Sequence, residues 1–149
     1  MQFAGPRARF GALEADNGLL HGNGGAQYLT HLIGPGRVLE YLLSLNYVDA
    51  KTAGQYGWVN RAYDSAAELR REVDALAERI ALWPASGLNA TKASVRENDP
   101  AQAGLDRDLQ RFECLLSREE IQQAIARFLI LSNNQTRGWL ELGLDETLQ

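Results

Sequence analysis

The residues of this chain best suited to chemistry are a carboxylate and the glycine-rich turn that follows it. Glu14 ends a short apolar approach, and Gly22-Asn23-Gly24-Gly25 directly precedes a helical pattern. A carboxylate that apolar neighbours shield from water can serve as a general acid or base. Glycines before a helix expose backbone N–H groups, and the positive end of the helix favours an anion or a carbonyl oxygen. This corner is therefore the candidate site.

Each feature of the corner also has a plain structural interpretation, which the residues alone leave open. Glu14 can be a solvated surface carboxylate, and the functional interpretation needs Leu13, Leu19 and Leu20 to desolvate it. The glycine run can be a tight turn that enters a helix, since it fits neither the Walker lysine pattern nor the dinucleotide fingerprint.

Other chemistry-bearing residues favour structural interpretations. His21 and His31 have no cysteine pair or carboxylate cluster beside them, so no metal site is expected. Cys114 would need a nearby histidine to act as a nucleophile, and its amphipathic helical context predicts a buried structural thiol. Lys92 is interpreted as a surface lysine rather than a phosphate contact. The corner around Glu14 is left as the principal candidate.

Composition limits the classes of partner and compartment. The 149 residues carry a net charge of -4, which argues against a nucleic-acid or anionic-membrane surface. The single cysteine excludes an intrachain disulfide and predicts the cytoplasm or another reducing compartment. No apolar run approaches the roughly 18 residues of a membrane-spanning helix. One domain with a real core is expected from the length.

The N-terminal part predicts short strands mixed with helices. Two strands are expected on either side of Gly5-Pro6, and another over residues 58–63. Helices are expected over residues 26–33 and 37–45, the second burying Val38, Leu39, Leu42 and Leu45. Asp49 is expected to cap a short helix that Gly57 ends.

The C-terminal part predicts helices only. Ser65 to Glu68 reads as a capping box, followed by a helix with one apolar stripe of Leu69, Val73, Leu76 and Ile80. A further helix follows Pro84, and two more follow Pro100, the last opened by a second capping box at Ser117 to Glu120. Asn133 to Gln135 should end that helix, and Trp139 to Gln149 should form a loose extension.

Several stretches together carry a family resemblance. Residues 8–14 (Ala8-Arg9-Phe10-Gly11-Ala12-Leu13-Glu14) and 18–29 (from Gly18-Leu19-Leu20-His21-Gly22 to Leu29) form the longest, followed by residues 33–40. Asp49-Ala50-Lys51-Thr52-Ala53 with Tyr56-Gly57-Trp58-Val59-Asn60, and then Ala90-Thr91-Lys92, come after them. In this order they resemble the C-terminal half of the enoyl-CoA hydratase/isomerase (crotonase) superfamily.

The resemblance implies an α/β fold: the C-terminal part of a crotonase (ClpP/crotonase-like) fold, with short strands followed by a mostly helical C-terminal region. Residues 1–83 would be the trailing part of the crotonase core, and residues 84–149 a helical region for oligomerisation. A homo-trimer, or a hexamer formed by two trimers, is implied in the same way.

The resemblance also implies a mechanism. Family members bind acyl-CoA thioesters and stabilise an enolate at the thioester oxygen with two backbone N–H groups, without a cofactor other than the coenzyme A of the substrate. Glu14 falls where the family's second glutamate donates a proton to the α-carbon. Gly22 falls on the glycine that lets a helix end approach the substrate, and Leu13 precedes the glutamate as a substrate contact. The implied activity is that of an enoyl-CoA hydratase, before isomerase.

Departures from the family pattern give a second hypothesis. The first family glutamate and the oxyanion amides fall before Met1 in family order, so an N-terminally truncated chain is expected. Leu13 and His21 stand where the family has prolines, and residues 125–128 lack a lysine that often meets coenzyme A. The alternative to an enzyme is a non-catalytic remnant that acts as a structural or assembly subunit.

Overall fold

The computed structural model describes residues 1–22 and 24–131, in which long helices accompany very short strands. The strands are β1 (Phe3–Ala4), β2 (Arg9–Phe10), β3 (Val48–Asp49) and β4 (Arg61–Ala62). The α-helices are α1 (Gly25–Ile33), α2 (Pro35–Ser44), α3 (Ala50–Tyr56), α4 (Ala66–Ala81), α5 (Ala85–Arg96), α6 (Gln102–Leu116) and α7 (Glu119–Leu131). A 3-10 helix, Glu14–Asn17, precedes α1. The predicted α/β class, with short strands followed by helices, is confirmed.

The strands pair in two separate ladders. β1 runs parallel to β4, with Phe3 opposite Arg61, and β2 runs antiparallel to β3, with Arg9 opposite Asp49. The two strands predicted around Gly5-Pro6 therefore exist but pair with different partners. The turn between them, closed by a hydrogen bond from the Ala8 N–H to the Gly5 carbonyl, redirects the chain to a new neighbour.

The predicted strand over residues 58–63 is shorter in the structure. The N–H groups of Trp58 and Val59 both donate to the carbonyl of Ala53, at 2.9 and 3.3 Å. These residues therefore complete the C-terminal turn of α3, and strand pairing begins only at Arg61. The alternating pattern includes this helix-terminating turn because Val59 is buried there between the half-buried Trp58 and the exposed Asn60.

The core lies where α1, α2 and α3 pack on the strands. Its buried members are Ala4, Leu29, Ile33, Val38, Tyr41, Val48, Ala50, Ala53 and Val59. On α2 the buried residues are Val38 and Tyr41, whereas Leu39, which was predicted to be buried, is 59% exposed. The ring of Trp58 lies 6.1 Å from that of Tyr41, centroid to centroid, and extends the core with an aromatic contact.

Two helix starts follow the predicted capping chemistry. The Asp49 side chain accepts a hydrogen bond from the Thr52 N–H at 2.7 Å, and this bond lowers the pKa of the Asp49 carboxyl. Gly57 ends α3 in the left-handed conformation that glycine adopts without strain. Ser65 accepts a hydrogen bond from the Glu68 N–H at 3.1 Å and so caps α4. These predictions are confirmed.

The C-terminal helices are less buried than their patterns suggested. The stripe predicted on α4 is only half-buried, and α4 and α5 contain no buried residue. Large apolar side chains stay exposed in the loop after α4 and along α5 to α7: Leu82, Trp83, Val95, Leu109, Leu129, Ile130 and Leu131. The helical character predicted from residue 84 extends to residue 131, and the position of the boundary stays a prediction. The predicted helix stop at Asn133 and the predicted extension from Trp139 lie outside the described residues.

Two predictions in this region are wrong. Cys114 is exposed rather than buried, because α6 buries only part of its circumference against α1 and α7, and Cys114 lies outside that part. Ser117 does not cap α7: its hydroxyl donates to the Cys114 carbonyl at 2.8 Å, at the end of α6. A serine between two helices can serve either helix end, and the hydroxyl here serves the preceding one.

Candidate active site

The short 3-10 helix positions Glu14. It spans Glu14–Asn17, and Gly18 caps its end with a φ of 68°, in the left-handed region. The N–H of Gly18 donates to the Ala15 carbonyl at 3.0 Å, and the N–H of Leu19 donates to the Glu14 carbonyl at 2.8 Å. This closed turn returns the chain beside its own start, so residues after Gly18 lie next to Glu14.

Glu14 faces a largely apolar cavity of about 300 Å³ between the 3-10 helix, α1 and α2. The lining residues are Ala12, Glu14, Ala15, Leu19, Leu20, His21, Ala26, Thr30, Pro35, Val38, Leu39, Leu42 and Leu43. An apolar chamber with few polar groups is the usual form of a small-molecule site. The cavity can hold an apolar chain beside one carboxylate.

His21 lies directly against Glu14 in this cavity. Nδ1 of His21 is 2.7 Å from Oε1 of Glu14, and both side chains are about one-third exposed, 28% and 33% respectively. Nδ1 itself is buried, and it has no well-directed hydrogen bond within the described residues. The distance is that of a charge-assisted hydrogen bond, and only the direction of the N–H bond is off the contact. With Nδ1 buried and Oε1 at this distance, Glu14 is the group placed to be the hydrogen-bond partner of His21.

The glycine turn is closely packed beneath α6. A Cβ on Gly22 would lie 3.2 Å from Cδ2 of Phe112, and one on Gly24 would lie 2.8 Å from Cδ2 of Leu105. The N–H of Gly25 donates to the Gly22 carbonyl at 3.0 Å, which closes the turn. These glycines are therefore required for the close approach of α6, and Asn23 lies outside the described residues.

A buried carboxylate joins α6 to α1 behind the turn. Asp108 is 2% exposed, and its Oδ2 accepts a hydrogen bond from Nε2 of Gln27 at 2.8 Å. Its other oxygen contacts Arg111 at 3.1 Å. Because a buried carboxylate needs such partners, the pair fixes where α6 crosses the start of α1.

A second carboxylate near the site faces α7. Burial raises the pKa of Asp16, and the positive charge of Arg127 opposes that shift. Asp16 and Arg127 line a cavity of about 280 Å³ between the 3-10 helix and α7. The segment that carries Glu14 therefore packs against α7.

Of the three predicted site residues, Glu14 lines the cavity, whereas Leu13 and Gly22 do not. Glu14 lines the cavity together with Leu19 and Leu20, two of the residues expected to desolvate it. Leu13 is half-buried and precedes the 3-10 helix, and neither Leu13 nor Gly22 is among the lining residues. Their roles in substrate binding stay predictions.

Sequence reasoning missed His21 as a partner of Glu14. The available signal was its place in the chain: it follows the Asp16-Asn17-Gly18 turn, which returns the chain toward Glu14. This turn brings His21 near Glu14 in the chain, but it does not report which way either side chain points.

Size alone does not identify the site. A larger cavity of about 560 Å³ lies between the N-terminus, β4 and α4, away from Glu14. Its ionic side chains are Arg61, Arg79 and Glu72, so it lacks a carboxylate in an apolar chamber.

Two other kinds of feature are absent from the described residues. No three histidine, cysteine or carboxylate side chains gather there as metal ligands, and none of the helices there has the length and apolar character to span a membrane.

Comparison with curated proteins gives hydratases of coenzyme A thioesters. The chain is 32% identical over 128 residues to the 2,3-dehydroadipyl-CoA hydratase of Escherichia coli, which covers 85% of this chain and 50% of that protein. It is 28% identical over 132 residues to the crotonyl-CoA hydratase of Syntrophomonas wolfei, with 86% and 50% covered. The chain thus spans about half the length of these relatives.

Solved structures share the fold. A candidate enoyl-CoA hydratase from Streptomyces avermitilis superimposes with a TM-score of 0.89 at 39% identity, covering 99% of this chain and 53% of that one. The carnitinyl-CoA hydratase of Mycobacterium avium, at 23% identity and a TM-score of 0.75, shares the fold over 92% of this chain. The sequence profile of the enoyl-CoA hydratase/isomerase family matches residues 1–133. The chain therefore belongs to the enoyl-CoA hydratase/isomerase family, the crotonase superfamily that its motifs resemble.

Proposed function

We propose that this chain contributes the proton carrier and part of the acyl site of an enoyl-CoA hydratase, with enoyl-CoA isomerisation as the next choice. The observation that carries the proposal is the placement of Glu14 at the wall of an apolar cavity of about 300 Å³. The names of the relatives from Escherichia coli and Syntrophomonas wolfei support a coenzyme A thioester as the substrate.

The proposed chemistry adds water across the double bond of a 2-enoyl-CoA. The water oxygen bonds to the β-carbon and passes one of its protons to the family's first glutamate, while the π electrons move onto the thioester as an enolate. Glu14 in its protonated form then delivers a proton to the α-carbon, and the two carboxyl groups return to their starting states by proton exchange with solvent. Isomerisation needs only one carboxylate that removes a proton from one carbon and returns it to another. No cofactor is required, since coenzyme A enters as part of the substrate.

The proposal assigns a limited share of the site to these residues. Stabilising the enolate requires two N–H donors aimed at the thioester oxygen. None of the stretches of this chain that resemble the family carries these donors or the first glutamate, so we assign them to no residue here. Loss of one such donor typically costs about 3–4 kcal/mol of transition-state stabilisation. The 149-residue chain alone is therefore expected to hydrate crotonyl-CoA negligibly.

The test compares Glu14 variants of the protein purified, with a tag, from its natural source, together with any subunits that it binds there. This material is called the natural assembly below. We expect the tagged natural protein to consume crotonyl-CoA, followed by loss of the enoyl-thioester absorbance, and Glu14→Gln to slow it by about 10²- to 10⁴-fold. Glu40→Gln, on an exposed part of α2 away from the cavity lining, serves as the matched control. Equal rates for Glu14→Gln and the natural protein would overturn the role of Glu14.

The exposed apolar side chains of the C-terminal helices support a second candidate function. Leu82 and Trp83 adjoin after α4 and are 78% and 58% exposed, and Leu129, Ile130 and Leu131 adjoin at the end of α7 and are 50%, 77% and 55% exposed. Grouped exposure of this kind is typical of surfaces that another chain covers. We propose a homo-trimer or hexamer, and a non-catalytic assembly subunit as the alternative to an enzyme. Light scattering measures the assembly state. Full activity of the assembly with Glu14→Gln would favour the alternative.

We also propose that the protein works in the cytoplasm or another reducing compartment. The single cysteine, Cys114, supports this proposal because it is exposed and has no partner for an intrachain disulfide.

A further inference from the structure

His21 is the polar neighbour of Glu14 inside the cavity. The remaining lining residues are apolar except Thr30, whose hydroxyl donates to the Ala26 carbonyl at 2.7 Å within α1. The polar chemistry of the cavity is therefore concentrated in the Glu14 carboxylate and the His21 imidazole.

The packing around His21 fixes its ring against Glu14. A Cβ on Gly25 would overlap Cδ2 and Nε2 of the ring, so the absence of a side chain at Gly25 makes room for it. Nδ1 is buried away from bulk solvent, and Oε1 of Glu14 lies 2.7 Å away. A buried ring nitrogen requires a partner from the protein, and the position of Glu14 supplies one.

We infer that His21 is a positioning residue for Glu14: Nδ1–H of the neutral ring donates to Oε1, which fixes the carboxylate and leaves Oε2 for proton exchange with the substrate. This inference rests on the proposed function of Glu14 as the proton carrier. A carboxylate on a flexible side chain loses catalytic efficiency when it occupies several rotamers, and a contact to one oxygen restricts them. Which ring nitrogen of a histidine carries the proton is set by the hydrogen bond that this nitrogen makes.

The first experiment needs no substrate. Long-range ¹H–¹⁵N correlation spectra of the ¹⁵N-labelled 149-residue chain at pH 9, well above the ordinary titration range of histidine, report which ring nitrogen is protonated. His21 and His31 are the two histidines of the chain, and His31, exposed on α1, is the internal control. We expect His21 to carry its proton on Nδ1 in the wild type and on Nε2 in Glu14→Ala, with His31 unchanged.

Two outcomes would contradict the inference. One is a wild-type His21 that carries its proton on Nε2, and the other is a tautomer that Glu14→Ala leaves unchanged. Should Glu14→Ala fail to fold, as judged by its circular dichroism spectrum, Glu14→Leu keeps the bulk of the side chain without an oxygen and answers the same question.

The second experiment uses the natural assembly and crotonyl-CoA. His21→Phe keeps an aromatic ring without a donor, and we expect kcat to fall by up to about 100-fold with KM little changed. His21→Asn restores an N–H donor near the position of Nδ1 and should recover most of kcat, while His31→Asn is the matched control. A His21→Phe enzyme with the wild-type kcat, or a fall that His21→Asn does not recover, would overturn the positioning role.

The two experiments separate the two claims. Absence of turnover by the wild-type assembly counts against the proposed function alone, because the tautomer of His21 is measured without substrate. An Nδ1 proton that depends on Glu14 then still supports the pair.

Discussion

Oε1 of Glu14 and Nδ1 of His21 lie 2.7 Å apart, at the wall of an apolar cavity. The two residues meet because the chain turns at Gly18, where the Leu19 N–H donates back to the Glu14 carbonyl. The proposed proton carrier and the residue proposed to orient it thus belong to one short segment. The cavity wall that they share comes from α1 and α2.

Replacing Gly25 should break this contact. A Cβ at Gly25 would overlap the ring of His21, and because the ring belongs to a side chain it can rotate away, out of reach of Glu14. We expect Gly25→Ala to lower the free energy of unfolding by about 1–3 kcal/mol, as overpacking does. Urea denaturation measures the stability, and the ¹⁵N spectrum of His21 measures the loss of the contact.

Gly36→Ala is the control for this substitution. Gly36 lies in the first turn of α2, and a Cβ there meets nothing within 4 Å. Alanine is the better helix former by up to about 1 kcal/mol, so Gly36→Ala should be neutral or stabilising and leave His21 unchanged. If Gly25→Ala behaves in the same way, the close approach of the ring to α1 is not what holds His21 in place.

Local chemistry made much of the fold predictable from the sequence. Asp49 and Ser65 cap their helices as expected, because the first N–H groups of a helix have no intrahelical acceptor and a side-chain oxygen at the N-cap reaches them. Gly57 ends α3 as expected, because the left-handed cap needs no Cβ. These predictions depend on neighbours in sequence, which the sequence contains in full.

Features that depend on distant packing could not be predicted. Periodicity predicts that Cys114 and Leu39 are buried, but both are exposed. Helical periodicity indicates which residues share a face, and it does not indicate how much of that face another element covers. The contact of Asp108 with Gln27 joins residues 81 positions apart, and no local pattern reports it. In the candidate site, the resemblance indicated Glu14, whereas the contact of His21 with Glu14 depends on the folded structure.

Asp108 should be worth more to stability than its exposed neighbour Asp106. Asp108 is buried and accepts a hydrogen bond from Gln27 across the interface of α6 with α1. Hydrogen bonds to charged groups contribute about 1.5–3 kcal/mol, so Asp108→Ala should lower the free energy of unfolding by that amount. Within the part of the chain that the structure describes, Asp106 makes an exposed contact with Gln102 on the same helix, and Asp106→Ala should cost less than about 0.5 kcal/mol.

Urea denaturation of the two variants, compared with the wild type, checks this prediction. Similar losses for Asp106→Ala and Asp108→Ala would show that the α1–α6 contact adds nothing beyond a surface hydrogen bond. A large loss for Asp108→Ala alone would identify the carboxylate that docks α6 over the glycine turn.

Tyr41 should make stability depend on alkaline pH. Burial, aided by a hydrogen bond with Tyr56, raises the pKa of Tyr41 from 10.0 to about 12. The unfolded chain therefore loses this proton at a lower pH than the folded one, so the stabilisation is complete below pH 10 and is lost as the pH rises toward 12. We expect the urea midpoint of the wild type to fall relative to Tyr41→Phe over this range.

Tyr56→Phe tests the cause of that shift. Removing the Tyr56 hydroxyl takes away a hydrogen bond that contributes to the raised pKa of Tyr41. The pH range over which Tyr41 makes stability fall should therefore end at a lower pH in Tyr56→Phe than in the wild type. A difference between the wild type and Tyr41→Phe that stays constant from pH 10 to 12 would contradict the prediction.

The packing of α7 against the segment that carries Glu14 can be measured at Gly18. Gly18 and Gly57 both end a helix in the left-handed region, at φ 68° and 82°, so alanine strains the backbone at both by roughly 1–2 kcal/mol. A Cβ on Gly18 would also overlap Cδ1 of the buried Ile121 on α7, whereas one on Gly57 would lie 3.5 Å from the nearest atom, the Leu32 carbonyl oxygen.

Gly18→Ala should therefore lower the free energy of unfolding by about 1–3 kcal/mol more than Gly57→Ala does. The double variant Gly18→Ala, Ile121→Val separates packing from backbone strain, because a shorter side chain on α7 relieves only the overlap. Urea denaturation of the single and double variants gives each contribution. Equal losses at Gly18 and Gly57, with no recovery by Ile121→Val, would mean that α7 does not pack closely enough on this turn to hold Glu14 in position.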